Sequence, residues 1–147
     1  NTMDEEHRMA SFDPAGLAVG KQLPVLTLEP VNRTMLALFG CASGDLNPVH
    51  LDLDVARKLG LPDVFAQGML GMAWLGRLLT NWVPQSRLRR IDVRFQGITH
   101  LGNAITCRGE VVEIRDVGGE RCARVQVSNI NQFGQLKIVG EALISLA

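Results

Sequence analysis

From Val64 to Val83 the chain is apolar, broken only by Gln67, Arg77, Thr80 and Asn81. This stretch constrains the fold more than any other. Met69, Met72, Ala73 and Gly76 recur at helical spacing, while Leu70, Trp74, Leu75, Leu78 and Leu79 fill the remaining directions. The spacing predicts a helix over Gly68–Trp82 that is apolar nearly all round, and such a helix must be wrapped by other structure. A membrane span is a poor alternative, because Arg77 would sit at its centre. Gly68, Gly71 and Gly76 each cost a helix about 1 kcal/mol against Ala. Close approach of neighbouring backbone is the physical reason to keep them.

Most of what can do the wrapping follows the helix. Ile91, Val93 and Phe95 alternate with Asp92, Arg94 and Gln96, as a half-buried strand does. Ala104–Arg115 reads as a second strand whose alternation slips near Gly109, the mark of a bulge. Asp116–Glu120 carries the Gly-Gly of a hairpin turn. Ala123, Val125 and Val127 form one face of a third strand. Asn131–Gln135 turns the chain again, and Ile138, Gly140, Ala142, Ile144 and Leu146 share a face of the last. Ahead of the long helix lie an irregular arm over residues 1–22 and a short strand-like run, Leu23–Leu28. A helix capped by Asn32 is predicted over Arg33–Phe39, a loop over Gly40–Pro48, and a second short helix over Val55–Leu59, capped by Asp52 or Asp54. The order predicts an α+β fold, an antiparallel sheet around one buried helix, in a single domain over residues 23–147. Asn1-Thr2 ahead of Met3 reads as an expression scar.

Composition narrows the function. At 147 residues the chain is long enough for one core. Acidic and basic residues balance at 15 each, which argues against a nucleic-acid partner. Tyr is absent, so no phenol can act as acid or nucleophile. Cys41, Cys107 and Cys122 are too scattered for a disulfide framework and fit a reducing, cytoplasmic setting. The polar start, with Asp4, Glu5, Glu6 and Asp13, is unlike a secretory signal, and no membrane association is expected. His7, His50 and His100 have no metal-ligand spacing, so no metal is expected.

The informative segment runs from Phe39 to Asp52: Phe-Gly-Cys-Ala-Ser-Gly-Asp-Leu-Asn-Pro-Val-His-Leu-Asp. Asp45 and His50 stand five residues apart. A straight strand would send them to opposite faces, whereas a loop broken by Gly44, Asn47 and Pro48 can turn both toward one point. A carboxylate and an imidazole aimed at one water form a proton-transfer site. The residues alone also fit a plainer reading, with Asp45 and Asn47-Pro48 as turn chemistry and His50 as a core histidine.

The segment resembles the signature of the MaoC-like family of (R)-specific enoyl-CoA hydratases and acyl dehydratases. In that pattern an aromatic and a few small residues lead into Ser-Gly-Asp-x-Asn-Pro-aliphatic-His, here Phe39, Ser43, Gly44, Asp45, Asn47, Pro48, Val49 and His50. The likeness continues at Gly68-Met69 and Val93-Arg94-Phe95. It implies a hot-dog fold, with the long helix as the sausage and an overhanging segment carrying the site. It implies Asp45 and His50 as catalytic residues that activate water, the Gly68 amide as oxyanion hole, and Ser43, Asn47 and Gln67 in support. It implies an acyl-CoA or acyl-carrier-protein thioester as substrate, no cofactor besides the coenzyme A or phosphopantetheine that the substrate brings, a place in fatty acid metabolism, and a homodimer or larger homo-oligomer. Two departures stand out: Gln67 replaces a frequent His, and Gly76 a Ser found in some members.

Arg87, Arg89, Arg90 and Arg94 form a local basic cluster, either a solvated strand edge or contacts for the phosphates of coenzyme A. The expected activity is a hydro-lyase making (R)-3-hydroxyacyl thioesters. The alternatives are a dehydratase of a branched or dicarboxylic acyl-CoA of β-methylmalyl or mesaconyl type, which an Arg77 in the acyl pocket would favour, and a non-catalytic acyl-binding subunit. A thioesterase fits least.

Overall fold

A computed structural model describes residues 12–147; the expected scar, Asp4, Glu5, Glu6 and His7 fall outside them. Gln22 already bridges to Glu110, and the Leu23 amide donates to the Gly109 carbonyl. The ordered structure thus begins before Leu23. Strand β1 is only Leu26–Thr27. Helix α1 spans Arg33–Ser43, with the Asn32 side chain accepting from the Met35 amide. It runs a turn beyond the expected end at Phe39. Gly40 does not stop it; the left-handed residue that does is Gly44, at φ 78°. A 3-10 turn, Pro48–His50, leads to α2, Leu53–Lys58. Asp52, not Asp54, caps α2 by accepting from the Asp54 and Val55 amides.

The long helix, α3, spans Gly68–Thr80. Leu70, Gly71, Trp74, Leu75, Leu78 and Leu79 are buried, but Met69, Ala73, Arg77 and Thr80 form an exposed stripe. The chain by itself wraps the helix on one side. Four long strands do so: β2 Leu88–Phe95, β3 Thr106–Val117, β4 Glu120–Ile130 and β5 Leu136–Ser145. The five-stranded antiparallel sheet is ordered β1-β3-β4-β5-β2, the hot-dog arrangement. Gly118 and Gly119 both have positive φ and close the β3–β4 hairpin. The slip in β3 falls between Val111 and Glu113; Gly109 stays in register with Val127. Gly109 is small for another reason, since a Cβ there would lie 2.9 Å from the Leu23 side chain.

The core lies between α3 and the sheet: Leu36, Leu75, Leu78, Leu79, Ile105, Val111, Val125 and Ile144 are fully enclosed. At the C-terminal end of α3, the Phe12 ring meets Trp82 edge-on at 5.1 Å. At the other end a Cβ on Gly71 would lie 2.7 Å from Ile138 Cδ1, so the helix backbone rests on the sheet. Among the described residues no helix is long and apolar enough to cross a membrane.

Strand β2 crosses the place where a side chain at Gly140 would stand, with Val93 Cα 2.7 Å from an ideal Cβ. Backbone cannot yield as a side chain can. Gly140→Ala is therefore expected to destabilise the fold by about 1–3 kcal/mol or more, read as a lower urea midpoint.

Candidate active site

The polar loop after α1 is built from nested short-range hydrogen bonds. The Ser43 hydroxyl donates to the Phe39 carbonyl at 2.7 Å and accepts from the Asp45 amide at 3.2 Å. The Asn47 side chain accepts from the Val49 amide at 3.1 Å, and the Asn47 carbonyl from the His50 amide at 3.0 Å. Ser43 and Asn47 are thus braces of the loop. They hold it in the tight path that brings position 45 back over position 50.

Asp45 and His50 do come together, with His50 Nε2 3.8 Å from Asp45 Oδ2. The imidazole is buried, while the carboxylate is partly open to solvent. Nδ1 lies 2.7 Å from the carbonyl oxygen of Phe65, whose ring meets the imidazole edge-on at 4.8 Å. A carbonyl can only accept, so Nδ1 carries the proton in the neutral ring. Nε2 is then a free lone pair facing a carboxylate. Two acceptors at this separation suit a donor placed between them, one O–H to each.

Phe65 was not legible as part of this site. It lies fifteen residues from His50, and nothing local marks its carbonyl as a partner. Its segment is fixed by a β-bridge to His100 and by the Ala66 amide donating to the Thr99 carbonyl at 2.9 Å. His100 contributes to this link through its backbone.

Gly68 opens α3, and no side chain caps that end of the helix. Its first amides are free to serve an acceptor outside the helix. The glycine keeps the approach narrow but open: the Phe95 ring lies 3.2 Å from where a Cβ would be. A cavity of about 360 Å³ begins here, walled by Phe65, Gln67, Gly68, Phe95 and Ile138. Neither Asp45 nor His50 lines it; His50 is joined to its wall by the bond to the Phe65 carbonyl. Gln67 is buried; its amide nitrogen donates to the Leu36 carbonyl at 2.9 Å, and its oxygen has no partner. Gly76 lies outside this cavity, with open space where its side chain would be, and Arg77 is exposed on α3.

The sequence pattern of the MaoC like domain matches residues 18–132. The chain belongs to the MaoC-like dehydratase family. Among solved structures, this MaoC-like chain resembles the R-hydratase PhaJ1 from Pseudomonas aeruginosa in the unliganded form, with 29% identity and a TM-score of 0.77 over 89% of this chain and 83% of that one. It also resembles the (R)-hydratase from A. caviae involved in PHA biosynthesis, with 25% identity and a TM-score of 0.78 over 90% and 98%. The ChsH1-ChsH2 complex from Mycobacterium tuberculosis follows at 25% and 0.77, over 88% of this chain and 98% of that one. A curated relative, the mitochondrial 3-hydroxyacyl-[acyl-carrier-protein] dehydratase FERN of Solanum lycopersicum, is 28% identical over 69% of this chain. The matched stretch spans 62% of that relative's length.

The MaoC-like domain does not gather Arg87, Arg89, Arg90 and Arg94 at the cavity. Arg87 donates to the carbonyls of Ser145 and Ala147 and lies over the Phe12 ring. Arg89 forms a two-pronged pair with Glu120 at 2.8 and 2.9 Å. Arg90 pairs with Asp92. Arg94 is exposed, at a depression of about 610 Å³ on the sheet that also borders Arg124 and Glu141. The sequence cluster is dispersed because β2 is extended. At about 3.3 Å per residue, Arg87 is roughly 25 Å along the strand from Phe95. A bulge between Leu88 and Arg90 also frees Arg89 from the alternation. Arg87, Arg89 and Arg90 thus each have a partner within the chain, and none of the four lines the cavity at Gly68.

The two buried thiols are not nucleophiles in waiting. Burial pushes Cys107 up to about 12, and raises Cys122 as well. At the far end of the sheet, the Arg89 guanidinium and the Ser145 hydroxyl hold the Glu120 carboxyl down at about 2, against an ordinary 4.5. A depressed carboxyl stabilises the fold above its unfolded value, and that contribution fades as pH falls toward the folded one. Wild type should therefore exceed Glu120→Gln in urea midpoint at pH 7. The gap should shrink below about pH 4.5 and close near pH 2, in paired denaturation curves.

Proposed function

We propose that this protein adds water reversibly to 2-enoyl thioesters, giving (R)-3-hydroxyacyl thioesters. One observation carries the reading: His50, tied through Nδ1 to the Phe65 carbonyl, turns its bare Nε2 toward Asp45 at 3.8 Å. A water there donates one hydrogen to each group and points a lone pair outward. Its oxygen attacks C3 of the enoyl group, and the C2=C3 electron pair moves onto the thioester carbonyl. The proton lost by water passes to the pair, which in turn gives a proton to C2 and returns to its starting state. The Gly68 amide holds the developing enolate oxygen, an interaction worth about 2.7–4 kcal/mol in comparable sites. Overall nothing is oxidised or reduced, so the step calls for no redox cofactor. The R outcome is supported by the two R-hydratases the chain resembles.

A coenzyme A or carrier-protein thioester would supply the acyl group. The dicarboxylic alternative loses its main support, because Arg77 stands outside the cavity. The exposed stripe of α3 and the outer edge of β2 are the faces a second subunit would cover, and a homodimer is the assembly we favour. The three free thiols support a reducing compartment such as the cytoplasm.

The test is ultraviolet assay of crotonyl-CoA and longer 2-enoyl-CoA hydration, with product configuration determined. Asp45→Asn is expected to lower kcat by about 10²–10⁴-fold, with an unchanged circular dichroism spectrum. Wild-type turnover by Asp45→Asn would refute the role of the pair.

A further inference from the structure

Gln67 stands out among the buried polar groups. It is 1% exposed, yet its amide oxygen has no partner. Its one side-chain bond runs from Nε2 to the carbonyl of Leu36, inside α1, at 2.9 Å. As a stabilising device this is poor: one bond is made and one dry acceptor is left unpaired, and the two effects oppose each other. An apolar side chain of similar volume would hold the fold as well.

The surroundings give the amide another role. A Cβ on Gly40 would lie 3.1 Å from the Asp45 carbonyl oxygen, 3.2 Å from Leu46 Cδ2 and 3.5 Å from Gln67 Nε2. The Asp45 main chain and the Gln67 amide therefore close on the same bare face of α1. Gln67 is also the residue immediately before Gly68, at the head of α3. A single side chain thus links the helix that delivers Asp45 to the helix that presents the Gly68 amide. Side chains on a loop drift unless something fixes the loop, and misplacement by about 1 Å can cost 10²-fold in rate.

We infer that Gln67 is a positioning residue, which sets the separation between Asp45 and the Gly68 amide without touching the reacting atoms. The inference rests on the hydratase reading above for its effect on rate, but its structural half stands alone. It predicts that the donor matters and the carbonyl oxygen does not.

Two variants of the full chain test it. Gln67→Met keeps the volume and removes the donor; Gln67→His returns an N–H that can reach the Leu36 carbonyl. In crotonyl-CoA hydration, Gln67→Met should lose about 10- to 10²-fold in kcat. Its KM should stay within about twofold and its thermal midpoint should not fall, because an unpaired buried acceptor has been removed. Gln67→His should recover most of the lost kcat. Hydrogen exchange read by mass spectrometry should show residues 43–49 exchanging about tenfold faster in Gln67→Met, and near the wild-type rate in Gln67→His. Wild-type kcat in Gln67→Met would overturn the inference, as would unchanged exchange in residues 43–49. If the wild-type protein hydrates no enoyl thioester, the hydratase reading falls. The exchange comparison still decides whether Gln67 holds the Asp45 segment: faster exchange upholds that, and unchanged exchange ends it.

Discussion

The hydrogen bond between His50 Nδ1 and the Phe65 carbonyl is the contact on which the site depends. It decides the tautomer, and so decides that Nε2 is the basic nitrogen facing Asp45. It also ties the polar overhang after α1 to the segment that leads into α3, two residues before Gln67. Without it the ring could turn, and the facing pair of acceptors would be lost. The Phe65 segment is in turn fixed by main-chain bonds to residues 99 and 100 just past β2. Overhang, helix and sheet edge therefore share one junction, and the proposed chemistry sits on it.

That junction is polar at the rim of a dry core. Leu75, Leu78 and Leu79 are fully buried further along the same helix, and each contributes about 1.5–3 kcal/mol by leaving water. The helix is anchored where it touches the sheet, at Gly71 against Ile138 and Asn129. Such anchoring lets the first turn stay uncapped. A helix held by packing along its length does not need its own end groups satisfied by a side chain. The free amides at Gly68 can then be directed at a ligand. Stability and proposed reactivity are divided along one element, apolar in the body and polar at the head.

Much of this was legible in the sequence because the determinants are local. The apolar run gave α3, period-two alternation gave the strands, and Gly118-Gly119 gave the hairpin. The spacing of Asp45 and His50, with glycine and proline between, allowed their convergence. The end of α1 was misjudged because Gly40 reads as a breaker, whereas it is helical and small to admit the Asp45 backbone. The basic cluster is spread out for a different reason. Nearness along an extended strand is not nearness in space, and Glu120, the partner of Arg89, lies thirty-one residues away. The Phe65 carbonyl is invisible to any side-chain motif, since every residue has one.

The open face of α3 follows from the same division. A sheet of this size curls around one side of a helix, and the described residues leave the other side open along Met69, Ala73, Arg77 and Thr80. These four remain in solvent, two of them apolar and two polar. Among the described residues strand β2 pairs with β5 alone and forms an edge of the sheet. An open strand edge is unfavourable for an isolated protein, and Met69 adds an exposed apolar side chain beside it. Here both border Gly68 and Phe95, the entrance of the cavity. A second subunit that covered them would also complete the walls around the proposed acyl site. The pattern that forces the fold, a helix apolar nearly all round, is covered on one side by the described residues, and the uncovered side adjoins the candidate site.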